Sequence, residues 1–234
     1  MKSLTVLFND GWKFCLTEAD KIKDISELAG ARWYDVELPH DCLINDTHNL
    51  YKTGDGWYKK RFAVTAEQLS GSVFLNFDGV YMDSTVYVNG MEAGSWTYGY
   101  SAFELDITPL LRAGDNEVAV LVRYREPNTR WYSGAGIYRD VNLIVKPETY
   151  IPTNGIYIHS EKKDEGAFET EVETDICGSA GEIYITLQVL SPDEEIIAGF
   201  EQRALFKGGR SSFINRFTID NPLLWDIDDP NVYT

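Results

Sequence analysis

The sequence has few cysteines and few histidines, and both shortages exclude classes of protein. Cys15, Cys42 and Cys177 are an odd number, lie far apart and form no Cys-x-x-Cys pair. We therefore expect reduced thiols rather than a disulfide framework. The histidines are scattered without the spacing of metal ligands, so we expect neither a metal site nor a cofactor.

Positive charge and long apolar runs are also scarce. The chain holds 21 Lys and Arg against 37 Asp and Glu, a formal net charge of −16. Nucleic acids and anionic membranes bind basic surfaces, so we expect neither as a partner. With no apolar leader and no long apolar run, we expect a soluble, cytoplasmic protein. A protein from which a signal peptide had been removed would show the same pattern.

Helical periodicity is confined to three short pieces, and strand patterns fill the rest of the first half. The helical pieces are residues 24–29, 65–69 and 108–112. Runs rich in β-branched and aromatic residues alternate with turn residues and predict strands at residues 12–16, 33–38, 57–64, 73–77, 85–88, 103–107, 117–124 and 137–145. The pair Asn89-Gly90 predicts a type I′ hairpin turn. Many short strands with regular turns indicate a sandwich or barrel.

A boundary is predicted at residues 146–152, which contain two prolines after a long strand. Strand patterns then resume at residues 155–160, 167–176, 182–190, 196–206 and 211–219. We predict two all-β domains, residues 1–147 and 148–234. The length of the second suits an immunoglobulin-like sandwich without the paired cysteines of antibody domains. Residues 221–234 lead toward a further strand, so we expect this sandwich to be truncated before its last strand.

The stretch from Arg130 to Val141 is the most informative of the sequence. Arg130, Trp131 and Tyr132 offer a fork of hydrogen-bond donors and aromatic stacking faces. Small residues at 133–136 then allow a tight turn or a close backbone approach. A strand is predicted from residue 137, with Arg139 on its apolar face. Because an unpaired buried charge is very costly, we expect a buried partner for Arg139.

The motifs of the chain, taken in order, resemble the N-terminal region of glycoside hydrolase family 2, the group of β-galactosidases, β-glucuronidases and β-mannosidases. They cover nearly the whole chain, and their order is more specific than any one of them. The matching pieces are residues 8–14 (FNDGWKF), 36–41 (VELPHD), 56–62 (GWYKKRF), 77–80 (FDGV), 86–90 (VYVNG), 103–108 (FELDIT), 114–116 (GDN), 130–141 (RWYSGAGIYRDV), 222–225 (PLLW) and 230–233 (PNVY). The 130–141 version looks most like the β-galactosidase branch.

This resemblance implies a galactose-binding-like jelly-roll sandwich, then an immunoglobulin-like sandwich, then a (β/α)₈ barrel that holds the catalytic glutamates. Such a barrel needs about 250 residues, and we expect none of it in this chain. The implied reaction is retaining hydrolysis of a β-glycoside, with two carboxyl groups about 5–5.5 Å apart. We therefore expect a glycoside hydrolase as parent, most like a β-galactosidase, and an inactive fragment without catalytic residues. A β-glucuronidase or β-mannosidase is the alternative within the family.

The resemblance also suggests residues that contact the sugar. Arg130 is a candidate sugar contact by its position in the motif and not by its residue type, because some family members have an Asp at this position. A salt bridge between domains is the alternative role for Arg130. Trp131 and Tyr132 are candidates for stacking on the sugar, although aromatic residues are equally ordinary at domain interfaces. Asp41 is a further candidate, with structural hydrogen bonding as its alternative. Arg139 is interpreted as a structural buried charge.

Two other kinds of protein remain open at this point. A free-standing carbohydrate-binding module would show exposed aromatic clusters and would bind free sugar. An adhesin-like structural protein is disfavoured by motifs that occur once and by the missing signal peptide. The expected partner is a β-galactoside-like carbohydrate, and an unpaired strand edge in the second domain suggests a homo-oligomer.

Overall fold

The computed structural model describes residues 2–22, 25–163 and 166–234. The chain folds into two compact units that divide between Pro147 and Glu148, called here the N-terminal and C-terminal units. Strands dominate both units, which confirms the predicted all-β fold. No helix in the described ranges is long and apolar enough to cross a membrane.

The N-terminal unit is a sandwich of two antiparallel sheets. Its strands are β1 (Leu4–Leu7), β2 (Trp12–Thr17), β3 (Tyr34–Val36), β4 (Gly54–Val64), β5 (Ser72–Phe77), β6 (Ser84–Val88), β7 (Met91–Trp96), β8 (Phe103–Asp106), β9 (Gly114–Tyr124) and β10 (Val141–Lys146). One sheet has the order β1-β10-β5-β8 and the other the order β3-β2-β4-β9-β6-β7. This arrangement agrees with the predicted jelly-roll sandwich.

The main core of this unit lies between its two sheets, because alternate residues of each strand point to one face. Val118, Val120 and Val122 of β9 are buried there, as the alternation in the sequence predicts. The largest of the fully buried side chains in this core are Trp12, Tyr58, Phe77, Leu75, Ile107 and Ile137. A smaller cluster around Trp57 covers the other face of the larger sheet.

Short 3₁₀ turns occupy Ile25–Gly30, Gln68–Ser70 and Thr108–Leu110. They overlap the three pieces with helical patterning, although residue 24 of the first piece lies outside the described residues. The predicted hairpin is confirmed, since Asn89 and Gly90 have φ of 52° and 81° between β6 and β7. Positive φ at both central positions is what a type I′ turn requires.

The C-terminal unit is an immunoglobulin-like sandwich with a smaller core. Its strands are β11 (Thr149–Tyr150), β12 (Ile156–Lys162), β13 (Phe168–Gly178), β14 (Gly181–Leu190), β15 (Ile196–Phe206) and β16 (Gly209–Ile219). In one sheet β13 pairs with β11, β12 and β16, and in the other β14 pairs with β15. Thr234 and Leu190 exchange backbone hydrogen bonds of 2.7 and 3.2 Å.

The prediction for Arg139 is wrong. The last strand of the N-terminal unit begins at Val141, and Arg139 lies in a bend before it. The strand alternation therefore does not extend to Arg139, whose side chain is exposed, while Ile137 and Val141 remain buried. Its guanidinium carbon lies 5.4 Å from the ring centre of Tyr138. Arg139 is a surface residue and needs no buried partner.

Candidate functional site

Three of the predicted site residues, Arg130, Trp131 and Tyr132, lie on the loop between β9 and β10. A neighbouring backbone segment pairs with each side of this loop. Gly136 and Tyr81 exchange two backbone hydrogen bonds of 2.9 Å. On the other side, the Cys42 N–H donates to the Ala135 carbonyl at 2.8 Å. Ala135 is fully buried. The end of the segment from residue 127 to 136, called here the 127–136 loop, is therefore fixed to the sandwich.

Gly136 permits the close packing beneath this loop. Its φ is 126°, and a Cβ added there would lie 2.3 Å from the Tyr58 hydroxyl oxygen and 2.7 Å from the His40 carbonyl oxygen. The Tyr58 hydroxyl and His40 Nδ1 form a hydrogen bond of 2.8 Å. Burial lowers the pKa of His40 and raises the pKa of Tyr58. Both groups are thus held in their neutral forms at pH 7.

An ion pair between Arg125 and the buried Asp55 anchors the other end of the loop. Asp55 Oδ1 lies 2.7 Å from Arg125 Nη1, and Arg125 Nη2 lies 3.0 Å from Asp20 Oδ1. Asp55 is 1% exposed, whereas the Arg125 side chain is 35% exposed. The arginine that pairs with a buried carboxylate near this loop is therefore Arg125 and not Arg139.

Asp41 connects two loops through its carboxylate. Oδ1 accepts hydrogen bonds from the Leu43 N–H at 2.9 Å, from the Ile44 N–H at 3.1 Å and from the Tyr132 hydroxyl. Oδ2 accepts from the Ala135 N–H at 3.2 Å. Burial raises the pKa of Tyr132, and its hydrogen bond to Asp41 raises it further. The Tyr132 hydroxyl therefore stays protonated and donates to Asp41 at neutral pH.

Arg130 and Trp131 lie at the exposed tip of the loop. Trp131 is 64% exposed, and its carbonyl accepts hydrogen bonds from the Thr129 and Ser133 hydroxyls. No residue in the described ranges forms a hydrogen bond or ion pair with the exposed Arg130 side chain. A cation and an indole ring are thus exposed on a loop whose two ends are held to the sandwich.

Three tyrosines that were not predicted as site residues, Tyr81, Tyr98 and Tyr100, lie close to this loop. The ring of Tyr81 packs edge-on against Tyr100, with centres 5.2 Å apart, and Tyr98 packs against Tyr100 in turn. Tyr98 and Tyr100 are 61% and 44% exposed. A Cβ on Gly99 would lie 2.3 Å from the Tyr81 ring. The Tyr-Gly-Tyr pattern of residues 98–100 is the signal that could have revealed this aromatic surface.

The chemistry of this site is that of binding. Its exposed groups are a guanidinium, an indole and phenol rings, which suit the hydroxyls and the apolar ring face of a saccharide. Within the described parts of the chain, no group of three or more His, Cys, Asp or Glu side chains is arranged to hold a metal ion.

Comparisons with known families match each of the two units of the chain. The family model described as "Glycosyl hydrolases family 2, sugar binding domain" matches residues 8–147. The model described as "Glycosyl hydrolases family 2" matches residues 149–234. The two matches divide the chain within two residues of the boundary between its compact units.

Individual relatives carry two kinds of name. The chain is 29% identical to a "Putative beta-glucuronidase" of Formosa agariphila, over 97% of the chain and 22% of that protein. It is 32% identical to "Beta-galactosidase BoGH2A" of Bacteroides ovatus, over 97% of the chain and 28% of that protein. The chain thus spans about a quarter of the length of these relatives.

A solved structure supports the fold. The crystal structure of a putative beta-galactosidase from Bacteroides fragilis superposes with a TM-score of 0.86 at 23% identity. The superposition covers 100% of this chain and 38% of that one.

Proposed function

The chain belongs to glycosyl hydrolases family 2, and on that premise we propose that it is the N-terminal, non-catalytic part of a retaining β-glycosidase. The parent protein hydrolyses O-glycosyl bonds in carbohydrate breakdown, and a β-galactoside is its first candidate substrate. The proposal is supported by two family matches in sequence order. A β-glucuronide is the second candidate, since relatives with either name are similar to the chain.

In this proposal the chain supplies binding groups, and the catalytic carboxyl groups lie on another part of the parent. The guanidinium of Arg130 donates hydrogen bonds to sugar oxygens, because its donors have no protein acceptor in the described ranges. Trp131 offers a face for the apolar side of the sugar ring. The unpaired Arg130 beside the exposed Trp131 is the observation that carries this role.

A free-standing carbohydrate-binding module is the second candidate function. The exposed rings of Trp131, Tyr98 and Tyr100 favour it. The two functions predict different coding sequences downstream of Thr234. The proposed enzyme requires a reading frame that continues beyond Thr234 into about 250 or more residues of alternating strands and helices, whereas a module requires no barrel.

Hydrolysis assays test the proposal directly. The 234-residue chain alone should not hydrolyse an aryl β-galactoside or an aryl β-glucuronide, whereas the full-length product should hydrolyse one of them. In the full-length product, Arg130→Ala should lower kcat/KM without changing Tm. Turnover by the purified chain alone, or an Arg130→Ala enzyme with unchanged kinetics, would contradict the proposed division of roles.

A further inference from the structure

We infer that Asp41 is a positioning residue, which holds the 127–136 loop in its saccharide-binding conformation. This inference rests on the proposed function, because it assigns a role within the same site. It develops the structural hydrogen bonding that the sequence left open as the alternative for Asp41.

The hydrogen-bonding capacity of the Asp41 carboxylate supports this role. Three donors converge on Oδ1, namely the N–H groups of Leu43 and Ile44 and the hydroxyl of Tyr132. A carboxylate oxygen has about two lone-pair sites, so Oδ1 has no acceptor capacity left for a sugar hydroxyl. Oδ2 accepts one further hydrogen bond, from the Ala135 N–H at 3.2 Å.

The four donors come from two segments that are far apart in sequence. Leu43 and Ile44 lie two and three residues after Asp41, whereas Tyr132 and Ala135 are separated from it by 91 and 94 residues. The carboxylate therefore crosslinks the turn after Asp41 to the 127–136 loop. Hydrogen bonds to an ionised acceptor are stronger than those between neutral groups, so this crosslink is well suited to fix a loop.

The position of the crosslink explains how it affects the ligand-binding tip. Tyr132 directly follows Trp131, and Ala135 is fully buried beneath the loop. When Tyr132 and Ala135 are fixed, the backbone of Arg130 and Trp131 is ordered before a ligand arrives. A loop that is already ordered loses less conformational entropy on binding, which raises affinity.

A double-mutant cycle on the 234-residue chain tests this role. Asp41→Asn, Tyr132→Phe and the double variant are compared with the wild type by NMR titration with methyl β-D-galactoside and methyl β-D-glucuronide. Each single variant should raise Kd by about five-fold or more, and the double variant should be no weaker than Asp41→Asn, since residues in one network are not additive. Asp46→Asn is the matched control, because Asp46 also accepts hydrogen bonds within an exposed turn of the same segment but does not reach the loop.

Amide hydrogen exchange of the free protein provides a second measurement, because its rates would not change if Asp41 only contacted the sugar. In Asp41→Asn the Ala135 amide should exchange about ten-fold faster than in the wild type, and in Asp46→Asn it should be unchanged. Unchanged Ala135 exchange in Asp41→Asn, or fully additive losses of affinity, would overturn the inference. If Asp41→Asn does not fold, Tyr132→Phe alone must show the loss of affinity. If the wild type binds neither glycoside, the proposed function fails, and Ala135 exchange still decides whether Asp41 fixes the loop.

Discussion

Arg125 forms an ion pair with the buried Asp55 at the base of the 127–136 loop, with 2.7 Å between Arg125 Nη1 and Asp55 Oδ1. Asp55 is almost fully buried, and Arg125 Nη1 also donates to the carbonyls of Gly54 and Tyr124. The guanidinium thus ties the end of β9 to the start of β4, immediately before the polypeptide enters the loop that carries Arg130.

Removal of this guanidinium should destabilise the N-terminal unit. Arg125→Leu leaves the Asp55 carboxylate buried without its charge partner, and we expect a loss of about 3–5 kcal/mol in the free energy of unfolding. Arg139→Leu is the matched control, and its exposed side chain should change stability by less than about 0.5 kcal/mol. Urea denaturation of both variants measures the difference. Equal effects would contradict the pairing of Arg125 with the buried Asp55.

The packing under Gly136 should not tolerate a methyl group. Gly136→Ala places a Cβ within 2.3 Å of the Tyr58 hydroxyl oxygen at a φ of 126°, so both a clash and backbone strain oppose it. We expect a loss of about 3 kcal/mol or more. Gly181→Ala, where nothing lies within 4 Å of the added Cβ, is the control. Thermal unfolding measures the difference, and equal Tm values for Gly136→Ala and Gly181→Ala would contradict this packing.

Acidification should destabilise the chain in part through His40. Burial lowers the pKa of His40 from the ordinary value of 6.5, so below about pH 6.5 the unfolded state binds a proton that the folded state does not yet bind. Stability then falls as the pH decreases through this range. In His40→Gln the decrease in urea midpoint between pH 7.5 and 5.5 should be smaller than in the wild type. An equal decrease in His40→Gln and the wild type would refute the prediction.

The outer edge of β12 should promote self-association of the 234-residue chain. All residues of Ile156–Lys162 are exposed, and within the described ranges this strand pairs only with β13. Exposed apolar edge strands invite pairing with another chain. Sedimentation velocity should show an oligomer at high concentration that Ile158→Lys suppresses and Ile44→Lys, on an exposed loop of the other unit, does not. A monomer at all concentrations would rule this out.

The strands and the hairpin were predictable from the sequence because their signals are local. Alternating apolar residues define β9, and Asn89-Gly90 defines the turn between β6 and β7. Arg139 was misplaced because the alternation was extended four residues upstream of Val141, across a bend that periodicity does not reveal.

The crosslinks of the site could not be predicted in the same way. Asp41 and Tyr132 are 91 residues apart, and no local pattern indicates that a carboxylate and a phenol so distant will meet. Only the sheet topology, which returns the chain to the same end of the sandwich, brings such pairs together. The sequence therefore indicated the loop and its exposed side chains, and named Asp41 and Tyr132, but did not reveal the Asp41–Tyr132 hydrogen bond or the Arg125–Asp55 ion pair.

A saccharide titration of the 234-residue chain tests the central claim most directly. Calorimetric or NMR titration with methyl β-D-galactoside and methyl β-D-glucuronide should show binding of at least one glycoside by the wild type. Arg130→Ala and Trp131→Ala should each raise its Kd by about five-fold or more, an effect of about 1 kcal/mol. Tyr184→Ala, which removes an equally exposed ring from the C-terminal unit, should leave Kd unchanged. Binding that neither loop variant weakens, or no binding of either glycoside, would contradict the account.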